Sequence, residues 1–178
     1  IDIRKMGSGN AGATNVVRAL GKKYGLLVLL LDFTKGAFPI IIANYLLNDL
    51  TLSVCSAFAS VIGHVFPIYF SFKGGKGAAT FIGAITFIFP LGGLICLTVF
   101  ILTLILSGYS GLSTILAAIS FPLSILLFSK INLIFFGVAA MLFILITHHK
   151  NLIRLIKGDE NRFKKIYIFD SDSIWRKK

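Results

Sequence analysis

From Gly25 to Thr147 the chain is a succession of apolar runs separated by only a few polar residues, and this limits its fold more than any other feature. The runs occupy 25–47, 51–70, 78–89, 91–107, 111–128 and 132–147. A helix of about 20 apolar residues crosses the hydrocarbon layer of a bilayer. Of the 178 residues, 56% are hydrophobic and 14% charged, whereas soluble domains usually carry about 25% charged residues. A core of this size cannot hide that surplus, so the bilayer is the solvent. There, every backbone polar group must be satisfied within the protein, which leaves helices or closed barrels. The runs are continuously apolar and do not alternate with polar residues, which favours helices. The predicted fold class is therefore all-α, a polytopic helical membrane protein with six apolar helical segments. The run at 78–89 is short for a span and predicts a broken or re-entrant helix beside Phe89-Pro90.

Charge then assigns sides. The chain has 18 Lys and Arg against 7 Asp and Glu, a net charge of +11. Such a balance suits nucleic acid, anionic lipid or an anionic substrate; in a membrane protein nucleic acid is the weakest of these, and no nucleic-acid partner is expected. Alternating the passes puts 1–24, 71–77, 107–111 and everything after 147 on one side, and 48–50, the Pro90 turn and 129–131 on the other. The first side collects Arg4, Lys5, Arg18, Lys22, Lys23, Lys73, Lys76 and the basic tail, and the second only Lys130. Positive loops mark the cytoplasmic side. Within the first span, Asp32 and Lys35 stand three apart and are expected to form a structural ion pair. Cys55 and Cys96 lie in apolar runs and read as small core residues. The chain opens with Ile1 and has no cleavable signal, so its native N-terminus is expected to lie further upstream.

Three polar motifs fall on the basic side. Gly7, Gly9 and Gly12 spell G-x-G-x-x-G, with Asp32 where a dinucleotide fingerprint wants its acid. That fingerprint must follow a hydrophobic strand, but Arg4-Lys5-Met6 precedes it, and the apolar run continues past Asp32 to span length. The remaining content of the loop is anion-binding: Ser8, Asn10, Thr14, Asn15 and Arg18 among glycines. The second motif runs from Gly63-His64 through Pro67 to Phe72-Lys73-Gly74-Gly75-Lys76-Gly77 and Thr80. It lacks the spacing of a P-loop, but glycine amides at a helix start, with Lys73 and Lys76, predict an anion site. His64 is expected to position this loop. The third motif holds His148, Asn151 and Arg154, which would share one helix face. His148 and His149 lack a third metal ligand at suitable spacing, so no metal site is expected.

Together these residues resemble the bacterial acyl-phosphate-dependent glycerol-3-phosphate acyltransferases. Gly7–Asn10 with Gly12–Asn15 and Arg18 is similar to the family's first motif. Gly63-His64, Phe66-Pro67, Phe72–Gly77 and Ala79-Thr80 are similar to the second. His148, Asn151, Arg154-Leu155, Gly158, Glu160 and Arg162-Phe163 are similar to the third. The resemblance implies a seven-helix integral membrane enzyme of the bacterial inner membrane with cytoplasmic motif loops. On that basis the present chain lacks the family's first helix, 1–163 is the acyltransferase domain, and 164–178 is a basic cytoplasmic tail. The implied reaction moves a fatty acyl group from acyl phosphate to the first hydroxyl of glycerol 3-phosphate, giving lysophosphatidic acid and phosphate. No cofactor is implied, and functional coupling to the enzyme that forms acyl phosphate is. The implied catalytic residues are Ser8, Arg18, Lys76, His148 and Asn151. The implied substrate-binding residues are Gly9, Asn10, Thr14, Asn15, Lys73, Gly74, Gly75 and Gly77, with His64, Asp32, Lys35 and Glu160 structural. Relatives often carry Ser where Gly111 aligns, so no phosphate contact is carried over to that loop.

An acyl phosphate is already activated, and no Ser-His-acid or Cys-His pattern is present, so Ser8 is expected to donate to phosphate and not to attack. The proton of the attacking hydroxyl goes either to His148 or to the substrate's own phosphate. The alternative function class is a transporter or channel for a phosphorylated anion. Anion motifs confined to one face and the lack of an inverted repeat weigh against it.

Overall fold

In the computed structural model, which describes residues 1–163, all regular structure is helical. The expected tail at 164–178 lies outside the described residues. Helix α1 covers Ala13–Leu20, α2 Lys22–Ile41, α3 Leu50–Val65, α4 Ala78–Ile88, α5 Pro90–Ser107, α6 Ser110–Leu127, α7 Ile134–Thr147 and α8 His149–Lys157. A π-turn, Ile42–Leu46, extends α2.

Local chemistry sets the breaks. Asp49 caps α3 by accepting the Leu52 amide at 2.9 Å. Pro90 opens α5 at the helix start, where its missing N–H costs nothing. Gly108 ends α5 at φ +75, a left-handed conformation that leaves the chain free to turn directly into α6. Phe89, with extended backbone, separates α4 from α5, and the Asn44 side-chain amide donates to the Phe87 carbonyl at 3.1 Å, one of those left open at the α4 terminus.

The six expected apolar segments are all present as helices, but they do not all reach span length. Among the described residues four helices are long and apolar enough to cross a bilayer: Lys22–Leu46, Leu50–Phe70, Pro90–Ser107 and Ser110–Leu127. Helix α4 has 11 residues, about 16 Å at 1.5 Å per residue. Helix α7 is likewise short, and passes the length test only if counted with α8, from which it departs by 58°.

The bundle is tied together by close backbone approach and stacked rings. Gly36 on α2 lies against the backbone of Thr80, and Gly83 on α4 against that of Phe33, so α2 and α4 pack with no side chain between them at these points. Phe81, Phe121, Phe136 and Phe58 form a chain of edge-to-face contacts with centroids 5.3–5.8 Å apart. The outer faces stay apolar and exposed, as with Leu26, Leu27 and Leu31 on α2, which is the surface a lipid-facing helix presents. Residues 8–18, 76–79, 110–114 and 148–160 meet at one end of the bundle around a single cavity.

Candidate active site

The first motif is organised by a buried amide. Asn15, 1% exposed, accepts the Ser8 amide at 2.8 Å and donates to the carbonyls of Met6 at 2.9 Å and Ile3 at 3.1 Å. These bonds fold residues 3–8 into a compact turn over the start of α1. Ser8, Asn10, Gly12 and Thr14 then line the cavity. Arg18 projects from α1, donates to the Asn161 carbonyl at 3.2 Å and lies 4.7 Å over the Phe163 ring.

The second motif is pinned to the end of α3. The Gly74 amide donates to the Val65 carbonyl and the Gly75 amide to the His64 carbonyl. A Cβ on Gly75 would collide with the His64 ring, so only glycine lets this loop lie on the histidine. His64 Nδ1 is 3.4 Å from Asp32, which Lys35 also meets at 2.6 Å. The loop delivers Lys76 and then the uncapped first turn of α4, where Gly77, Ala78 and Ala79 line the cavity. The starts of α1 and α6 also open on this space without side-chain caps. Three helix N-termini around one cavity favour an anion there. Gly75→Ala is expected to cost about 1–3 kcal/mol through overpacking and to raise the KM for the anionic substrate by displacing Lys76; thermal unfolding and steady-state kinetics check both parts.

In the third motif, Lys76 Nζ donates to the side-chain Oδ1 of Asn151. The Asn151 amide donates to Glu160 at 2.6 Å, and Arg154 Nε donates to the other Glu160 oxygen at 2.6 Å. Glu160 has a side chain only 2% exposed. It is brought there by the segment after α8, which crosses back over the α5–α6 turn: Arg162 Nε donates to the Ser107 carbonyl and the Phe163 amide to the Gly108 carbonyl, each at 2.9 Å. The Thr147 hydroxyl reaches the Lys76 carbonyl at 3.0 Å. His148 sits at the bend between α7 and α8, with Nδ1 3.0 Å from the Ile144 carbonyl. A carbonyl can only accept, so Nδ1 carries the proton and Nε2 is the acceptor of the neutral ring.

Burial, and then the Arg154 charge, pulls the Lys76 ammonium down to about 8. Burial and neighbouring Lys76 push His148 down to about 4, so the imidazole is neutral near pH 7. The sign of the Lys76 effect is testable. The unfolded chain keeps the lysine protonated up to 10.5, the folded one only to about 8. Between these values the unfolded state binds more protons, so stability rises with pH, while the free site loses a positive charge. The KM for an anionic substrate should therefore climb as pH passes 8, and Lys76→Arg should flatten that climb.

Most of the predicted residues meet in the cavity: Ser8, Asn10, Thr14, Asn15, Arg18, Asp32, His64, Lys76, Gly77, His148, Asn151 and Glu160. Five do not line it. Gly9 is not among its lining residues, and Lys73 is exposed outside it. Gly74 and Gly75 have amides already bonded to carbonyls, so these two glycines serve close packing and do not cradle an anion as expected. Asn15 reaches the lining, yet both ends of its amide hold the loop. Lys35 acts through Asp32. Arg154, Ser110 and Thr114 also line the cavity, though the sequence does not single them out as site residues. Arg154 was available from its three-residue spacing to Asn151, and the other two from hydroxyls four apart in an apolar helix. The cavity holds about 450 Å³, and its far wall is apolar, formed by Leu29, Leu30, Phe33, Ile82, Leu97 and Phe100.

Fold and site thus define a helical membrane protein whose cavity joins a cationic mouth to an apolar wall. The family model described as Glycerol-3-phosphate acyltransferase matches residues 1–158. A glycerol-3-phosphate acyltransferase of Endomicrobium trichonymphae is 41% identical over 165 residues, covering 92% of this chain and 83% of that protein. One from Aquifex aeolicus (strain VF5) is 40% identical over 166 residues, covering 92% and 86%. The crystal structure of PlsY (YgiH), an integral membrane glycerol 3-phosphate acyltransferase, in its glycerol 3-phosphate form, superposes with a TM-score of 0.87 at 37% identity, over 99% of this chain and 86% of that one. A lysophosphatidic acid form of PlsY gives 0.82 at 40% identity, over 88% and 81%. The chain belongs to the glycerol-3-phosphate acyltransferase family and is a membrane acyltransferase.

Proposed function

We propose that this protein transfers a fatty acyl group from acyl phosphate to the first hydroxyl of glycerol 3-phosphate, releasing lysophosphatidic acid and inorganic phosphate. The observation that carries this reading is the cavity itself. Arg18, Lys76, Arg154 and three helix starts surround its mouth, and one wall is continuous hydrocarbon. A ligand that is phosphate at one end and alkyl at the other fits both.

The hydroxyl oxygen attacks the acyl carbonyl carbon, the bond from that carbon to the phosphate oxygen breaks, and phosphate leaves with the electron pair. Lys76 and Ser8 stabilise the charge that grows on the leaving phosphate. Arg18 suits bidentate binding of a phosphate, and Arg154, aligned by Glu160, adds charge. The hydroxyl proton has two acceptors within this scheme. A phosphate monoester with a second pKa of about 6 is the stronger base, compared with a histidine held near 4. The substrate phosphate is therefore the base, and His148 orients substrate through Nε2. His148→Gln then keeps a substantial fraction of turnover; loss as complete as that of a Lys76 variant would make His148 the base.

The motif loops are assigned to the cytoplasmic side of a bacterial inner membrane, where an enzyme forming acyl phosphate would supply the donor. Labelling of Lys73→Cys and Lys130→Cys in intact cells tests the sidedness, with only the latter reached from outside. The decisive assay supplies purified protein in lipid with glycerol 3-phosphate and either acyl phosphate or an acyl thioester. Phosphate release and lysophosphatidic acid should appear with acyl phosphate alone. Equal turnover of a thioester would refute the donor assignment. Ser8→Ala should lower kcat about 10²-fold, the loss typical of one donor to a developing oxyanion.

A further inference from the structure

Helix α8 has two working faces on nine residues. Asn151 and Arg154 point into the cavity. At about 100° per residue, Leu152, Ile153 and Ile156 fall together on the opposite side, and they are 46%, 48% and 79% exposed. A helix this short cannot cross a bilayer, and in isolation it is too short to be stable, so its apolar stripe needs something to rest on.

What it rests on follows from continuity and charge. The exposed stripe of α7, Phe135, Leu142 and Ile146, runs directly toward α8. The 58° bend at His148 turns α8 away from the direction of α7. Lys150 and Lys157, both exposed, lie together along one edge of the apolar stripe, beside Ile153. An apolar stripe with lysines along one edge, at the end of a lipid-facing surface, suits the headgroup layer of an anionic leaflet.

We propose that α8 is an interfacial helix docked on anionic phospholipid, with Leu152, Ile153 and Ile156 in the headgroup boundary and Lys150 and Lys157 on lipid phosphates. Docking holds Asn151 and Arg154 in the Lys76–Glu160 network, so the lipid surface helps to order the site. The proposal rests on the membrane placement of the bundle and not on the identity of the acyl donor.

Hydrogen exchange in nanodiscs tests it. The full chain is placed in phosphatidylcholine alone or in phosphatidylcholine with added phosphatidylglycerol. Each surface lysine contributes about fivefold in anionic lipid, so the α8 amides should exchange about 25-fold more slowly with phosphatidylglycerol, while α5 amides do not change. The Lys150→Gln/Lys157→Gln variant should lose the difference. Exchange is preferred to turnover because the Lys150 charge also acts on Lys76. Ile156→Trp in a Trp175→Phe background should be quenched by brominated phosphatidylcholine. Identical exchange in both lipids, a lipid effect that survives in the double variant, or an unquenched tryptophan would each overturn the proposal. Protection that follows the number of copies per disc and not lipid charge would assign the stripe to a second copy and overturn it equally.

Discussion

Lys76→Met should lower kcat/KM about 10³-fold and leave the protein folded. Lys76 is a cation beside the uncapped start of α4 with its ammonium placed on Asn151. Removing one donor to a developing oxyanion typically costs about 10²–10³ in kcat, and here a full charge goes as well, which weakens ground-state phosphate binding. The effect on stability runs the other way. Burying the ammonium costs desolvation, and a methionine of similar length does not incur it, so the melting temperature should hold or rise. That split between activity and stability is the diagnostic result. A variant that unfolds would make Lys76 structural, and one that turns over near normally would remove it from the mechanism. Lys76→Arg should recover part of the rate, since the charge returns in a bulkier group.

Glu160→Ala should produce the opposite pattern, with loss of stability first and of activity as a consequence. One carboxylate accepts from both Asn151 and Arg154, at 2.6 Å each. Its removal leaves a buried amide and a guanidinium without their partner. Breaking a buried pair costs about 3–5 kcal/mol; the Arg154 side chain is 31% exposed, so water compensates in part, and about 2–3 kcal/mol is expected. Turnover should fall about 10²-fold, because Asn151 releases Lys76 from its working position. Glu160→Gln keeps one acceptor and should lie between. Denaturant or thermal unfolding in lipid, paired with kinetics, separates the two effects. Unchanged stability in Glu160→Ala would mean that the network does not hold α8.

Much of this was legible along the chain. The apolar runs, the break at Phe89-Pro90 and the three polar motifs all follow from composition read in order. The Asp32–Lys35 pair followed from helical spacing and is present at 2.6 Å. The roles within the motifs were less accessible. Gly74 and Gly75 read as amides for an anion, yet Gly75 lies against the His64 ring and Gly74 against the His64 and Val65 carbonyls and Pro67. Lys73 and Lys76 were both expected at the anion site, as binding and catalytic residues, and only Lys76 reaches the cavity. The short run at 78–89 is α4, Ala78–Ile88, and the run at 132–147 begins its α-helix at Ile134 after a 3-10 turn, so both lengths were legible to within about two residues.

By itself the sequence determined the solvent, the helical class and the end of the bundle where chemistry gathers. Hydrophobic transfer and backbone satisfaction act locally and add up along the chain, so they can be read in order. The tertiary structure alone decided which polar groups support the loop and which remain for substrate. Asn15 gives both ends of its amide to the loop, while Lys76 meets Asn151 from 75 residues away and Arg18 meets Asn161 from 143. A polar side chain's role depends on which partner reaches it first in space, and contacts at that separation exist only once the helices have packed.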